Sequence, residues 1–337
     1  MSSRLVSVVT PCYNAGSFIH RLLDSILDQD YLYLEMYIVD DGSTDNTKSV
    51  VDEYVLKFVD KGYSLTYIYQ ENSGQSVAIN KALKLVRGDY LVWPDSDDFY
   101  ASSNAISKMV SILDKSEDSV SMVRCLPVYL NEGSLTLHHK TANEVEIYNE
   151  YLFEDCLFGK KRYWFVPGNY MAKMVVLDEC IKERDIYTEK NAGQNWQLML
   201  PLLYSHRCIT IGEYLYSVVV RKASHSRGQY KSFEEEEKKF QAYENTLVNT
   251  LQRISALPLI EKERYIRNVS IKYLWIYFDV SLKYHHREQA KMVLQKLENK
   301  YKVRIPLLKR IDCIFCQFSE YYQWRKKVSL LLHKAVD

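Results

Sequence analysis

Four short apolar runs, each followed by an amphipathic stretch, constrain this chain more than any other feature of its first hundred residues. Leu5 to Thr10 ends at Pro11; Leu34 to Val39 runs into Asp40-Asp41-Gly42; Leu65 to Tyr69 precedes Asn72-Ser73-Gly74; Tyr90 to Trp93 meets Pro94. Between them, apolar residues recur at helical spacing: Ile19, Leu22, Leu23, Ile26 and Leu27, then Val51, Tyr54, Val55 and Phe58, then Ile79, Ala82, Leu83 and Val86. Strands alternating with helices over short links form a parallel sheet covered on both faces. Right-handed crossovers bring all four strand ends to one rim. Pro11 and Pro94 cannot donate to a ladder, so both read as strand terminators.

The chemistry gathers at that rim. Asp95, Asp97 and Asp98 stand within four positions of one another after the fourth strand, where an open α/β sheet places its ligands. Carboxylates this close repel unless a cation sits among them, and hard oxygen donors suit Mg²⁺ or Mn²⁺ sharing its shell with water and phosphates. A turn whose Asp side chains cap the next helix fits the same residues. The other strand ends bring Pro11, Tyr13 and Asn14, then Asp40 and Asp41, then Asn72, Ser73, Gly74, Gln75 and Ser76. An aromatic face, carboxylates able to accept from ribose or an imide N–H, and a metal cluster together suit a nucleoside diphosphate. Each has a plainer reading too: Tyr13 as core, Asp45 as the cap of the second helix, Asn72 and Gly74 as a turn. The phosphate-binding glycine loops of dinucleotide-binding proteins and NTPases are absent.

Composition sets the outer bounds. With 337 residues, 47% hydrophobic and 26% charged, the chain is globular and long enough for two domains. A net charge of +1 argues against a nucleic-acid-coating protein. No signal peptide is expected, because an apolar strand begins by Leu5, and no apolar run approaches the length of a membrane helix. Seven scattered cysteines fit a reducing cytoplasm, and the lone Cys313–Cys316 pair reads as two buried thiols at helical spacing in place of a zinc site.

Four segments occur in order: Val6 to Asn14 (VSVVTPCYN), Val39 to Asp45 (VDDGSTD), Asn72 to Ser76 (NSGQS) and Asp95 to Asp98 (DSDD). Together they resemble the family 2 glycosyltransferases of the bacterial surface-polysaccharide type, over about 130 residues closely and to Ser226 loosely. The resemblance implies an α/β GT-A fold, a mostly parallel sheet flanked by helices, with a helical C-terminal extension. It implies an enzyme moving one sugar (hexosyl or N-acetylhexosaminyl) with inversion from a nucleotide-sugar donor, UDP-linked by expectation, to a glycan or lipid-linked acceptor. The expected domains are 1–230, divided into a donor half (1–125) and an acceptor half (126–230), and a helical region 231–337. By the same resemblance Tyr13 stacks on the donor base and Asp41 contacts uracil. Pro11, Asn14, Asn72, Gly74, Ser76, Asp95, Ser96 and Arg221 surround the nucleotide-sugar. Asp97 and Asp95, with His225 of the Tyr216-to-Ser226 segment, hold Mn²⁺ or Mg²⁺, and Lys222 joins Arg221 on the phosphates. Trp164, Asn169 and Trp196 are expected at the acceptor, with Pro167 and Gly168 as further candidates.

One departure stands out. Where the family carries an acidic pair opening a helix near residue 195, this chain has Gln194-Asn195, and an amide is no general base at neutral pH. Either another carboxylate is the base, with Glu189, Asp185 and Asp155 as candidates, or Gln194 and Asn195 only orient the acceptor. Two alternatives stay open: a nucleotidyltransferase that makes the sugar nucleotide, and a catalytically silent glycan-binding homologue. Paired carboxylates straddling a groove, as in a glycoside hydrolase, are not the pattern here.

From Ser232 the pattern turns helical, opening on Glu234 to Glu237, which reads as a solvated helix start, with Ile271, Leu274, Trp275 and Phe278 as a later core stripe. Ser281 to Asp337 holds 13 Lys and Arg against 5 Asp and Glu, a local +8. Tyr322, Trp324, Arg325, Lys326, Lys327, Val328 and Leu330 to Leu332 mix aromatics, bases and leucines. Such a helix either lies on an anionic membrane from the cytoplasmic side or packs on protein with its basic side in water.

Overall fold

The computed structural model describes residues 3–140, 148–160, 163–221, 230–318 and 321. The expectations for Lys222 and His225 and for the basic segment from Tyr322 onward lie outside the described residues.

The four apolar runs form β1 (Val6–Cys12), β2 (Leu34–Asp41), β3 (Ser64–Gln70) and β4 (Tyr90–Val92), all mutually parallel in the order β3-β2-β1-β4. The helices between them are α1 (Ile19–Leu27), α2 (Thr47–Asp60) and α3 (Gln75–Leu83). On α1 the stripe Ile19, Leu22, Leu23 and Ile26 is fully buried. Each such side chain is worth about 1.5–3 kcal/mol. The exposed i,i+4 pair Lys48–Asp52 on α2 contributes about 0.3–0.5. The apolar stripes therefore set helix placement.

Pro11 does not end β1. The strand runs on through Pro11 and Cys12, which pair in register with Val39 and Asp40 of β2. On its other side β1 pairs with β4 only over Val6 to Val8. By Pro11 that flank has no ladder left to disrupt, so the missing N–H is tolerated. At the fourth strand Pro94 does mark the end, with Trp93 wholly buried just past β4.

Beyond β4 the sheet is no longer parallel throughout. β8 (Tyr170–Lys173) inserts antiparallel between β4 and β6 (Val120–Asn131), β9 (Arg207–Val220) runs parallel to β6, and β5 (Phe99–Tyr100) closes the edge antiparallel to β9. β7 (Leu137–Lys140) pairs with β6 off the main path. Around this half lie α4 (Ala105–Lys115), α5 (Phe153–Phe158), α6 (Met174–Cys180) and α7 (Asn195–Ser205).

The chain divides into two compact units, Met1–Gly228 with Asn249–Pro258, and Gln229–Val248 with Leu259–Asp337. The second contains most of α8 (Phe233–Arg253), then α9 (Leu259–Lys283), α10 (Arg287–Asn299) and α11 (Leu307–Phe315). Its core is Leu274, Phe278, Leu282, Val293, Leu294 and Leu297, closed by Cys313 and Cys316. The glutamate run is not wholly solvated: Glu236 is buried and ion-paired with Lys283. All seven cysteines are free, and among the described residues no helix is long and apolar enough to cross a membrane.

At the amino ends of the strands sits a buried acid. Glu35 of β2 accepts from Ser7 Oγ (2.7 Å), from the Arg87 backbone N–H (2.7 Å) and from the Arg87 guanidinium (2.9 and 3.1 Å). Burial alone would raise its pKa, but the Arg87 N–H, the Ser7 hydroxyl and the guanidinium together hold it below the ordinary value. This stitch ties β1, β2 and the turn into β4, fixing the strands whose far ends form the rim. Glu35→Gln should lose about 2–3 kcal/mol in urea unfolding at neutral pH, the scale of charge-assisted bonds to a buried carboxylate. A group with a lowered folded-state pKa gives its full stabilisation above the ordinary glutamate value, about 4.3. That stabilisation fades as pH drops through the folded-state value. Wild type and variant should therefore converge in acid.

Candidate active site

The rim is assembled by side chains that bond to neighbouring loops. Successive strand residues face opposite sides, so Asp40 and Asp41 at the end of β2 serve different neighbours. Asp40 accepts from Ser43 N (2.7 Å) and Tyr67 OH (2.5 Å), closing its own turn and holding β3. Asp41 accepts from Gln70 Nε2 (2.8 Å), Ser73 N (2.7 Å) and Gly74 N (2.9 Å), folding the loop after β3 around its carboxylate. A carboxylate has about four acceptor sites. Three of Asp41's are engaged within the chain, which leaves one for the imide contact expected of it.

The loop after β1 is held the same way. Asn14 takes a left-handed backbone (φ 49°), a conformation in which Asn is enriched. Its N–H donates to Ser43 Oγ (2.8 Å), and its Oδ1 accepts from Thr44 N (2.9 Å). Asp45 accepts from Gly16 N and Thr47 N, both at 3.0 Å, and from the Thr47 hydroxyl. Burial would raise its pKa, but these bonds hold it lower. Asp45 thus braces the first loop as well as the start of α2, whose capping position is Asn46.

Two glycines are required by close approach. Gly42 (φ +87°) would place a Cβ 2.8 Å from Asn72 N, and Gly74 (φ +99°) would place one 2.5 Å from the Lys190 carbonyl oxygen. Three expected ligands are consequently interior. Pro11 is buried in β1, Gly74 is buried against Lys190, and buried Ser76 donates to the Glu189 carbonyl (3.3 Å). Asn72, exposed, donates to the Asp41 carbonyl oxygen (3.0 Å). Tyr13 is different: it is 45% exposed.

The acids after β4 sort by partner. Asp98 is buried and accepts from Val219 N (2.9 Å), pinning the end of β9 to the turn. Asp95, Ser96 and Asp97 are half-buried and lie toward the rim. Burial, with the neighbouring charge of Asp97, pushes Asp95 up to about 7. Asp97 Oδ2 lies 3.2 Å from Arg221 Nη1, whose guanidinium also reaches Glu132 Oε1 (3.4 Å) and stacks over Phe18 (4.1 Å). Glu132 and Phe18 carried no sequence pattern pointing here; only the register of β6 against β9, which pairs Asn131 with Val220, puts Glu132 beside Arg221.

At α7 the amide pair reaches the same region. Asn195 Oδ1 accepts from Trp93 Nε1 (3.2 Å), two residues before Asp95. Gln194 is 2% exposed, and its Oε1 has no hydrogen-bond partner among the described residues. Of the carboxylates weighed as a base, Asp155 is buried with Lys160 Nζ at 3.1 Å and Asn149 Nδ2 at 2.9 Å. Asp185 lies among Asn80, Lys84 and Arg253. Glu189 is half-buried beside the rim loop and accepts from Tyr187 OH (2.7 Å).

Two acceptor expectations fail on burial. Trp164 is in the core under the buried Arg124 guanidinium (4.2 Å), and Asn169 is fully enclosed in the Pro167–Asn169 turn, donating to the Cys125 carbonyl (2.7 Å). Isolated polar and aromatic residues in poorly patterned sequence gave no periodicity to reveal this. Trp196 is half-buried, its Nε1 donating to the Cys156 carbonyl (3.2 Å) and its ring edge-on to Phe165.

Residues 7–176, half of the chain, match the family described as Glycosyl transferase family 2. The chain belongs to glycosyltransferase family 2. It is 39% identical over 112 residues to the putative teichuronic acid biosynthesis glycosyltransferase TuaG of Bacillus subtilis, covering 33% of this chain and 43% of that protein. To the glycosyltransferase GlyG of Streptococcus pneumoniae it is 32% identical over 119 residues, 35% of this chain and 38% of that one. The match thus spans less than half the length of these relatives. Among solved structures, S. aureus TarS 1–349 in complex with UDP-GlcNAc superposes with a TM-score of 0.62 at 16% identity, over 96% of this chain and 92% of that one. The mannosyltransferase PcManGT from Pyrobaculum calidifontis, in complex with GDP-Man and Mn²⁺, gives 0.53 at 19% identity, over 99% and 86%. These likenesses show the fold of the chain: GT-A, a mixed sheet flanked by helices, with a helical C-terminal region.

In this family 2 chain the rim glycine Gly74 can be tested against Gly62, which lies in the link between α2 and β3 away from the rim. Gly62 (φ +84°) has open space where a Cβ would sit, so Gly62→Ala should cost only the left-handed backbone penalty, about 1–2 kcal/mol. Gly74→Ala adds a backbone clash with Lys190 and should cost at least about 1–2 kcal/mol more in denaturant unfolding.

Proposed function

We propose that this enzyme moves one sugar, with inversion, from a UDP-linked donor to a glycan or lipid-linked acceptor in the assembly of a bacterial surface polysaccharide. The observation that carries this reading is the convergence of Tyr13, Asp41, Asp95, Asp97 and Arg221 on one strand-end rim. TuaG's teichuronic acid role and the UDP-GlcNAc bound by TarS support the choice of product and donor class. Seven free cysteines fit work in a reducing cytoplasm.

The residues fit a hard divalent ion such as Mn²⁺ or Mg²⁺. Two adjacent carboxylates lie at the rim, one pushed up to about 7 by burial and by its neighbour's charge, and the Arg221 guanidinium already lies against the other. Among the described residues no group of three acids, histidines or cysteines could hold a metal alone. Such an ion shares its shell with water and phosphate, so two carboxylates suffice. When bound, it neutralises charge on the departing diphosphate.

The chain's own residues supply the rest. Tyr13 offers its exposed ring to the base, and the free lone pair of Asp41 accepts from the imide N–H. Arg221 turns from Asp97 toward the diphosphate, where a planar guanidinium binds two oxygens at once. Glu189 takes the proton of the acceptor hydroxyl. Gln194 and Asn195 donate to and accept from acceptor hydroxyls, which amides do without changing charge. That amide pair also favours a second reading, a catalytically silent glycan-binding homologue; turnover of any UDP-sugar would eliminate it.

Asp97→Ala should reduce transfer at least about 100-fold with an unchanged melting curve, measured as UDP release from a panel of UDP-sugars with Mn²⁺. Tyr13→Ala should weaken UDP binding by about 5- to 100-fold, the cost of one base stack. UDP with Mn²⁺ should raise the wild-type melting temperature, because the ligand binds only the folded state. Unaltered turnover in Asp97→Ala would remove the metal assignment.

A further inference from the structure

α11 is two-sided in an unusual way. Its Asp312 and Cys313, with Cys316 just beyond, face the core of the C-terminal unit. At 100° per residue, Leu307, Leu308, Ile311, Ile314 and Phe315 fall within a third of a turn on the other side, and Phe318 follows one turn on. That side is largely in the open: Leu307 is 72% exposed, Leu308 62%, Ile314 50%, Phe315 44% and Phe318 53%, with Ile311 half-buried among them. Scattered surface leucines need no explanation, but a continuous stripe of aliphatic and aromatic side chains marks an interaction surface.

Charge says what covers it. From Asn299 to Ile311 there is no acid and five bases: Lys300, Lys302, Arg304, Lys309 and Arg310. Lys309 pairs with Asp279 and Arg310 with Glu298. Lys300, Lys302 and Arg304 are exposed in the loop leading into the helix, and among the described residues none is ion-paired. A second copy of this surface would bring those bases against their own kind. The chain beyond Phe318 holds Arg325, Lys326, Lys327 and Lys334 against Glu320 and Asp337, so it also meets them with net positive charge. An anionic lipid surface satisfies both halves at once, taking the apolar stripe at the acyl boundary and the bases among its headgroups. We infer that the α11 stripe with Lys300, Lys302 and Arg304 is a membrane-docking surface for anionic lipid. This inference stands on the C-terminal unit alone and does not rest on the transferase reading, although a lipid-linked acceptor would be met at such a surface.

The test is co-sedimentation of the full chain with vesicles of phosphatidylcholine alone or mixed one-to-one with phosphatidylglycerol. Wild type should pellet with the mixed vesicles, remain in solution with the neutral ones, and be released by high salt. Ile314→Asp with Phe318→Asp, both at exposed positions, and separately Lys302→Glu with Arg304→Glu, should each reduce the bound fraction about tenfold. Both variants should keep the wild-type melting curve and rate of UDP release. Failure of wild type to pellet would overturn the assignment. So would wild-type pelleting by the Ile314/Phe318 variant, which would place binding in the chain beyond Phe318. Conversion of a dimer to a monomer by that variant, with vesicle binding intact, would make the stripe a contact between copies and overturn it too. Loss of UDP turnover with vesicle binding intact would count against the proposed transfer only.

Discussion

The carboxylate of Asp41 is the constraint on which the rim depends. An acid buried at a strand end costs several kcal/mol unless it is bonded, and loop N–H groups withdrawn from water carry a similar debt. Asp41 meets Gln70, Ser73 and Gly74 and settles both at once. Once that loop is folded inward, Gly42 must pass against Asn72 and Gly74 against Lys190, and Ser76 reaches Glu189. One acid at the end of β2 therefore positions a segment more than a hundred residues away, including the carboxylate assigned to take the acceptor's proton.

This bears on how much was legible in the sequence. The four strands and three helices followed from apolar runs and helical spacing, because most of each helix stripe is buried as drawn, with Leu27 and Val55 half-buried and β3 the least covered strand. What failed was local. Pro11 reads as a terminator only if both flanks of β1 are paired, and the short β4 leaves one flank open. The antiparallel insertion of β8 between β4 and β6 joins segments about eighty residues apart, and nothing in four residues of β8 announces it. Within the rim, the motif residues divide by what they touch. Asn14, Asp40, Asp45, Asn72, Gly74 and Ser76 hold loops together, while Tyr13, Asp95 and Asp97 are left facing outward. A motif records both kinds of residue without saying which is which.

The acceptor side was least legible because it lacks period. Trp164 and Asn169 looked functional as an aromatic and an amide in unpatterned sequence, and both are core: one under Arg124, one bonded to the Cys125 carbonyl. The amide pair is the opposite case. Gln194 and Asn195 departed from expectation in sequence, and in space Asn195 bonds Trp93 just before the acidic turn while Gln194 carries a buried carbonyl oxygen that no described residue satisfies. A group kept unsatisfied in a closed position has a cost of about 1–3 kcal/mol, which an acceptor hydroxyl would relieve on the proposed function.

Electrostatics completes the division of labour. Three acids in four positions cannot all stay charged in a half-buried turn without compensation. Asp98 accepts from the Val219 N–H and Asp97 pairs with Arg221, while burial and then the charge of Asp97 drive the pKa of Asp95 upward. Arg221 is itself balanced three ways, by Asp97, by Glu132 and by the face of Phe18. Drawing it off Asp97 leaves a guanidinium still anchored at Glu132 and Phe18 and two carboxylates short of one positive charge. On the proposed function, a metal–diphosphate would bring the missing cation to the acids and an anion to the arginine, so that one rearrangement would answer both deficits.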